Sequence, residues 1–148
     1  MKYIILVVIV ALAAFYFVRS ANNKKLAVQN NAVGKAFLLE NKNDEGVFET
    51  ASGLQYKIIQ KADSNIKPNA LSTVTVHYHG TLLDGTVFDS SVARGQAISF
   101  PLNQVISGWT EGVQLMAVGD KYKFFIPSNL AYGNRATGKI TPGSLLIF

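Results

Sequence analysis

Three short strings between residues 87 and 133 carry the side chains best suited to form a binding site: Val-Phe-Asp-Ser-Ser (87–91), Val-Ile-Ser-Gly-Trp (105–109) and Leu-Ala-Tyr-Gly (130–133). They supply large apolar groups but almost no group that exchanges a proton near pH 7. Such a site cannot run ordinary hydrolysis or group transfer, which need a nucleophile or an acid–base pair. It could hold an apolar ring and remove water from the neighbouring amide. This points to rotation about an X-Pro bond, a reaction that needs no nucleophile.

The polar groups near these strings allow two interpretations. Asp89 and Arg94 could form an ion pair at the rim of a pocket, or Asp89 could form an Asx-type turn with the serines that follow while Arg94 is solvated. His77 and His79 lie two residues apart on a predicted strand and could bind a metal. With no third ligand in the sequence pattern, we expect a surface pair and no metal site.

Other chemistries find little support in the sequence. There is no cysteine, so disulfides, thiolate nucleophiles and zinc–thiolate sites are excluded. The glycines are scattered singly, unlike a phosphate-binding loop, and nothing marks any serine as activated. We therefore expect no cofactor. Phe88, Trp109 and Tyr132 by themselves are also compatible with plain core packing.

From Ser52 onward the sequence predicts strands that would position these groups. Leu54, Tyr56 and Ile58 alternate, as do Val74, Val76 and Tyr78, which is the period of strands with one buried face. Asp84-Gly85 predicts a hairpin turn, and further strands are expected near residues 97–100, 121–126 and 144–148. Ile106, Trp109, Val113 and Met116 follow helical spacing. These elements predict an α+β fold, with a twisted antiparallel β-sheet wrapped over one short α-helix.

The first fifty residues differ in character. Residues 1–35 hold five basic side chains and no acid, whereas the remaining nine basic and nine acidic residues balance, so the net charge of +5 belongs to this arm. We therefore expect no nucleic-acid partner. Tyr3 to Val18 is unbroken apolar sequence, about 24 Å as a helix, and predicts a signal-anchor or transmembrane segment. Retention as a single-pass anchor is favoured over cleavage.

The expected organisation has three parts: a membrane segment at 1–20, a polar, partly helical linker at 21–51, and a folded domain at 52–148. In the linker, Val33 to Lys42 is predicted to be helical, with a weak apolar stripe of Val33, Ala36 and Leu39. This segment is interpreted as a lightly packed spacer, the alternative being the end of a dimerisation helix.

The order and spacing of the motifs resemble one family. Thr73 to Leu82, Asp84 to Ser91, and the Gly-Trp and Ala-Tyr-Gly strings are together similar to FKBP-type peptidyl-prolyl cis-trans isomerases, over about Ser52 to Phe148. Gly34 to Asn41, followed by Ser52 to Tyr56, also resembles exported bacterial members of the macrophage infectivity potentiator group. Family members continue beyond the position of Phe148, so the resemblance implies that the last strand is truncated here.

The resemblance implies a pocket and roles for its residues. Trp109 would form the floor under the proline ring, the N–H of Ile106 and the hydroxyl of Tyr132 would hold substrate carbonyls, and Asp89 would pair with Tyr78 or Arg94 at the rim. The implied set is Tyr78, Phe88, Asp89, Ile106, Trp109 and Tyr132 as catalytic residues, with Arg94, Ile98, Phe100, Val105, Ile140 and Phe148 binding substrate.

The resemblance further implies an isomerase acting on proline-containing polypeptides of exported proteins, with macrolide inhibitors as further ligands. The alternative is a chaperone or adaptor that holds unfolded chains in the same groove without turning them over. The expected location is a bacterial inner membrane, entered through residues 3–18, with the isomerase domain in the periplasm, or the periplasm alone if the segment is cleaved.

Overall fold

A computed structural model of the chain describes all 148 residues, apart from the side chain of Lys2. The helices are α1 (Lys2–Asn41), the short turn α2 (Ser91–Arg94) and α3 (Ser107–Val113). The strands are β1 (Val47–Glu49), β2 (Gln55–Gln60), β3 (Thr73–Val76), β4 (His79–Thr81), β5 (Val87–Ser90), β6 (Ile98–Pro101), β7 (Lys121–Ile126) and β8 (Leu146–Ile147). Two 3₁₀ turns, Leu102–Gln104 and Ser128–Leu130, complete the described elements.

Helix α1 is longer than the sequence pattern indicated. A separate helical segment was predicted from Val33, whereas the structure has one helix of 40 residues that runs through the membrane segment and most of the linker. The chain has no proline before Pro68, so no residue in this segment lacks the N–H that a helical hydrogen bond needs. Residues 21–41 include ten Ala, Leu and Lys residues, which favour a helix, beside five Asn and Gly34, which favour it less. The helix ends at Asn41, and the turn that follows uses a positive φ of 80° at Gly46.

The face of α1 that contacts the domain is not the predicted apolar stripe. Val33 and Leu39 are 57% and 54% exposed, and Ala36 is exposed too. The buried and half-buried positions from residue 23 onward recur at helical spacing, but most of them are small or amide residues. They are Asn23, Leu26, Ala27, Asn30, Asn31, Gly34, Phe37, Leu38 and Asn41. The second half of α1 is therefore packed on the domain, and the prediction of a lightly packed spacer is wrong.

The sheet arrangement agrees with the predicted antiparallel α+β architecture. Six strands pair in the order β1-β2-β7-β8-β4-β5, and β3 pairs with β6 in a separate two-stranded sheet. Every pairing of named strands is antiparallel. The division into two sheets arises because β3 ends at Val76 and pairing resumes only at His79 in β4. Tyr78 lies in this break.

The Asp84-Gly85 turn joins β4 to β5 as the sequence predicted. The Leu82 N–H donates to the Thr86 carbonyl over 2.9 Å, and Gly85 adopts a φ of 88°, which a glycine accepts without steric cost. The hairpin pairs Gly80 with Asp89, with a register shift before Thr81. This pairing brings Phe88 and Asp89 next to the break at Tyr78.

Helix α3 packs directly on β7 through two glycines. A Cβ at Gly108 would lie 2.5 Å from Cγ2 of Ile126, and one at Gly112 would lie 2.6 Å from Cε1 of Phe124. The absence of side chains at both positions lets the helix approach the sheet closely. The main core cluster forms around this contact, from Leu54, Leu82, Trp109, Phe124, Ile126, Ile140 and Leu146.

The first part of α1 stands away from the domain. Its apolar side chains are exposed, for example Leu6 at 59% and Phe17 at 70%. By length and composition this helix could cross a membrane, since its most apolar 18-residue window has a mean hydropathy of 2.5 and is not buried in the protein.

Candidate active site

An aromatic cavity opens between α3, the β4–β5 hairpin, β6 and the loop that follows β7. Its volume is about 550 Å³, within the usual range for small-ligand sites. Its lining residues are Tyr78, Phe88, Asp89, Ile98, Phe100, Gln104, Val105, Ile106, Trp109, Tyr132, Thr137, Gly138, Lys139, Ile140 and Phe148. Most of these side chains are apolar, so a ligand entering the cavity would lose contact with water.

Trp109 is the centre of the ring packing in the aromatic cavity. It projects from α3, is 9% exposed, and contacts three other rings. The centroid of Phe148 lies 4.9 Å away and that of Tyr78 5.1 Å away, both edge-on, and Phe100 lies at 5.4 Å. Edge-to-face contacts of this kind hold the rings in fixed orientations. Trp109 is therefore held in a fixed orientation in the lining of the cavity.

Gly80 allows the rings on the hairpin side to meet. A Cβ there would lie 2.5 Å from Cζ of Phe88 and 2.9 Å from Cε1 of Phe148. Without it, the Phe88 and Phe148 rings approach to 5.3 Å between centroids at an angle of 86°. Phe148 is held by backbone hydrogen bonds of 3.0 and 2.9 Å exchanged with Phe124 of β7.

A polar network occupies the rim. The Tyr78 hydroxyl donates to Oδ2 of Asp89, and Nη1 of Arg94 donates to Oδ1 of the same carboxylate. Nη2 of Arg94 donates to the Tyr78 hydroxyl oxygen over 3.0 Å. The two charged side chains are about half exposed, at 42% and 48%. Of the two interpretations of Asp89, the structure therefore has the rim pair.

The network fixes the protonation states of its members. The pKa of Asp89 is lowered, because the Tyr78 hydroxyl and then the Arg94 guanidinium stabilise the carboxylate. The pKa of Tyr78 is raised, first by burial of the phenol and then by its hydrogen bond to Asp89. At neutral pH the rim thus holds a carboxylate and a neutral phenol, neither of which is poised to transfer a proton.

The short turn α2 places Arg94. Ser90 accepts a hydrogen bond from the Ala93 N–H over 3.1 Å and so caps the turn, and Gly95 ends it with a φ of 69°. Ser91 is fully buried, and its hydroxyl accepts from the Tyr78 N–H over 2.7 Å. Ser90 and Ser91, which could also have formed a turn with Asp89, therefore hydrogen-bond the backbone of α2 and of Tyr78.

The structure brings together every residue of the sequence-derived pocket except Arg94, which lies just outside the lining and contacts it through Asp89 and Tyr78. Their individual roles stay predictions. Sequence reasoning missed Gln104, Thr137, Gly138 and Lys139, which also line the cavity. They are polar or small residues in a 3₁₀ turn and a loop, and they have no periodicity that would mark them as pocket residues.

Several polar groups in the site have no hydrogen-bond partner within the described part of the chain, and two of them are N–H donors on or beside α3. One is the buried Nε1 of Trp109. The other is the backbone N–H of Ile106, which precedes the first turn of α3. An N–H at a helix start is free to bond a ligand, because the helix offers it no acceptor.

The histidine pair is used differently from a metal site. Nδ1 of His77 contacts the Ser91 hydroxyl at 3.0 Å, and Nδ1 of His79 contacts the Ser90 hydroxyl at 2.9 Å. Among the described residues, no group of three His, Cys, Asp or Glu side chains is arranged to hold a metal ion. The two rings instead contact the serines beside α2.

Comparison with known proteins accounts for this architecture. The family model described as FKBP-type peptidyl-prolyl cis-trans isomerase matches residues 64–148, more than half of the chain. The chain belongs to the FKBP-type peptidyl-prolyl cis-trans isomerase family. A second model, the domain amino terminal to FKBP-type peptidyl-prolyl isomerase, matches residues 10–58. The family resemblance of the sequence motifs is therefore confirmed.

Relatives within the FKBP family are found in several bacteria. The chain is 55% identical over 128 residues to the FKBP-type isomerase FkpA of Aeromonas hydrophila, covering 86% of this chain and 47% of that protein. It is 50% identical to the outer membrane protein MIP of Legionella longbeachae, covering 88% and 56% of the two chains. The crystal structure of FkpA from Escherichia coli superimposes with a TM-score of 0.84 at 39% identity, covering 95% and 67%. The chain thus spans about half the length of the curated relatives it matches.

Proposed function

We propose that this chain catalyses cis–trans isomerisation of X-Pro bonds in polypeptides, using the aromatic cavity as its active site. The supporting observation is the cavity itself: Trp109, Phe88, Phe100 and Phe148 line it, with no proton-transfer group poised beside them. Membership of the FKBP-type isomerase family points to the same reaction.

The physical basis is the change in polarity as the bond rotates. A planar amide carries partial charges from resonance, and the barrier to rotation is about 18–20 kcal/mol. Twisting the bond removes that resonance, so the transition state is less polar than either planar ground state. A cavity that replaces water with aromatic rings favours the twisted amide over the planar one. Each ~1.4 kcal/mol of such preference increases the rate about tenfold.

Directional groups would hold the substrate while the bond turns. The N–H of Ile106 is available to one peptide carbonyl, and Tyr132 lines the same cavity, where its hydroxyl would hold another. The Asp89 network would keep Tyr78 against Trp109. These contacts would fix the chain on both sides of the proline, so that rotation is confined to one bond.

We further propose that the chain acts on exported proteins from a bacterial inner membrane, anchored by residues 3–18 with the domain in the periplasm. The exposed apolar helix supports membrane anchoring, and the relative named outer membrane protein MIP supports export. Alkaline carbonate extraction of membranes and the intact mass of the extracted protein test it. Release into the soluble fraction with loss of the first residues would instead indicate cleavage.

The activity is tested with a protease-coupled proline-peptide assay on the full chain in detergent micelles. Trp109→Leu removes the cavity floor and should reduce kcat/KM at least tenfold, since the ring contacts of the site depend on it. The control is Val118→Ala, which truncates a side chain that is 65% exposed and outside the cavity lining. A wild-type rate equal to background would overturn the enzymatic proposal.

The same variants separate the isomerase from a holding chaperone. If the groove only holds unfolded chains, suppression of aggregation should survive Trp109→Leu, and the wild type should not accelerate proline isomerisation. That combination of results would assign the cavity to binding without turnover.

A further inference from the structure

Residues 133–143, named here the pocket loop, form one wall of the aromatic cavity. Thr137, Gly138, Lys139 and Ile140 from this loop line the cavity, and Tyr132 lines it just before the loop begins. A backbone bond from the Gly143 N–H to the Gly133 carbonyl, 2.9 Å, closes the base of the loop, and Thr137 pairs with Ile140 near its tip. Residues 134–139 are otherwise exposed, so the loop has few internal contacts to fix its position.

Helix α1 supplies contacts to both stems of the pocket loop. Asn31 accepts from the Ser128 hydroxyl and donates through Nδ2 to Oδ1 of Asn134 over 2.9 Å. Asn30 donates through Nδ2 to the Pro142 carbonyl over 2.8 Å and to the Thr141 hydroxyl over 3.2 Å. Two adjacent amides of one helix thus bridge residues near the two ends of the pocket loop.

The backbones of helix and loop are also in direct contact. Gly143 has a φ of 73°, and a Cβ there would lie 2.5 Å from the carbonyl oxygen of Ala27 and 2.8 Å from Nδ2 of Asn31. Ala27 is only 3% exposed. The loop stem therefore rests on the helix itself, and the two asparagines lie at a packed junction.

We infer that Asn30 and Asn31 are positioning residues for the isomerase reaction: they hold the pocket loop so that Tyr132 and Ile140 face Trp109. This inference rests on the proposed function. Neither asparagine lines the aromatic cavity, so each acts only through the loop. We expect the loop residues to contact planar and twisted substrate alike, so displacement of the loop should raise KM more than it changes kcat.

A charge pair tests the Asn31–Asn134 contact in the full chain in detergent micelles. Asn31→Asp alone keeps an acceptor for Ser128, and the amide of Asn134 can turn to donate to it. Asn134→Asp alone keeps the acceptor for Asn31. The double variant places two carboxylates together with no donor between them, so the contact is lost. We expect each single variant to keep KM within about twofold, and the double variant to raise it about five- to tenfold.

The matched control introduces the same charges where they do not meet. Asn22 is exposed on the same helix, about 14 Å along the axis from Asn31, and Asn22→Asp combined with Asn134→Asp should leave KM near wild type. The effect of the facing pair should also shrink at high salt, because both groups are near the surface. Additive effects of the facing pair on KM would overturn the inference.

Hydrogen exchange of the backbone amides in residues 133–143 gives a second readout that needs no activity. We expect faster exchange in the facing double variant and wild-type exchange in the control pair. Faster exchange with unchanged KM would show that substrate binding does not depend on loop position, and would also overturn the inference. If the wild type turns over no peptide, the proposed function fails, and exchange alone then decides whether the asparagines hold the loop.

Discussion

Asp89 shows how a single charged residue serves a site that needs no proton transfer. It lies beside an apolar cavity, yet its carboxylate stays charged, since both oxygens accept hydrogen bonds from Tyr78 and Arg94 and its pKa is lowered. The network fixes the Tyr78 ring, which packs edge-on against Trp109. Asp89 thereby contributes orientation to the cavity.

This role predicts a separation of activity from stability. Asp89→Asn keeps the shape of the side chain but removes the charge that Arg94 contacts, so we expect kcat/KM to fall several-fold. The free energy of unfolding should change by less than about 1 kcal/mol, as is usual for half-exposed ion pairs. Protease-coupled assays and thermal melts measure the two effects. Asp63→Asn, the same change at an exposed position, is the control; equal activity of both variants would contradict the role.

The sequence motifs were most informative about the individual residues of the site. The apolar character of Phe88, Ile106 and Trp109 and their place in the three strings indicated one site, and the structure brings them together. The choice between an Asx turn and a rim pair at Asp89 could not be made from the sequence, because either uses the same local residues. It depends on where Tyr78 lies, and Tyr78 is eleven residues away in a break between strands.

At the scale of elements, the site depends on how closely α3 approaches β7. Gly112 meets the ring of Phe124 with no space for a Cβ, and Trp109 lies on the same short helix. Any increase in the helix–sheet distance would therefore move the floor of the cavity. Over-packing at such contacts typically destabilises a protein by ~1–3 kcal/mol.

We predict that Gly112→Ala lowers the free energy of unfolding by about 1–2 kcal/mol, the better helix propensity of alanine offsetting part of the clash. Phe124→Leu removes Cε1 and Cζ, the two atoms nearest to the added methyl, so the double variant should lose less stability than the sum of the single variants. Denaturant unfolding of the four chains measures this coupling. If the losses in unfolding free energy of the two single variants simply add in the double variant, the added methyl group does not clash with the Phe124 ring and the prediction is wrong.

Asp120 connects the turn before β7 to the segment after β2 through hydrogen bonds. Its carboxylate accepts from Nζ of Lys61 over 2.7 Å and from the N–H groups of Ala62 and Ala117 over 2.8 and 2.9 Å. The hydrogen bond from Lys61 and then the two backbone bonds lower the pKa of Asp120 from 3.8 to about 2. The folded chain therefore stabilises the charged carboxylate of Asp120 more than its protonated form.

The stability that Asp120 contributes depends on pH. A lowered folded pKa stabilises the protein above the unfolded value near 3.8, and this contribution is lost as the pH falls from about 4 towards 2. We predict that Asp120→Asn lowers the Tm above pH 4 and that its curve converges with the wild type near pH 2. Melting curves between pH 2 and 6 test this, with exposed Asp44→Asn as the control. Parallel curves for wild type and Asp120→Asn would contradict it.

At the scale of the whole molecule, the second half of α1 and the domain form one packed body. Gln55 on β2 is fully buried, accepts from Nδ2 of Asn41 over 2.8 Å, and donates to the Leu38 carbonyl over 2.9 Å and to Glu49 over 2.8 Å. The ring of Phe37 lies 5.8 Å from that of Phe125. The helix therefore covers the face of β2 and β7 opposite to α3.

We predict that Gln55→Leu destabilises this junction. The substitution leaves buried polar groups of the helix end without partners, at a cost of about 2 kcal/mol or more. Gln60→Leu, at an exposed position of the same strand, should change stability by less than about 0.5 kcal/mol. Thermal melts and hydrogen exchange at residues 38–41 measure both. Equal stability of the two variants would mean that the helix does not depend on this network.

The sequence by itself determined the period of the strands predicted after Ser52, the Asp84-Gly85 turn, the apolar helix and the set of aromatic residues, because each depends on neighbours close along the chain. It did not indicate β1, which lies within the predicted linker at 21–51. Only the tertiary structure decided which face of α1 meets the domain. That contact uses amide side chains and glycine. The amides form hydrogen bonds to residues about a hundred positions away, such as those of Asn31 with Asn134 and Ser128. Apolar periodicity cannot detect such a face, since hydrogen bonds and close backbone approach leave no hydrophobic pattern.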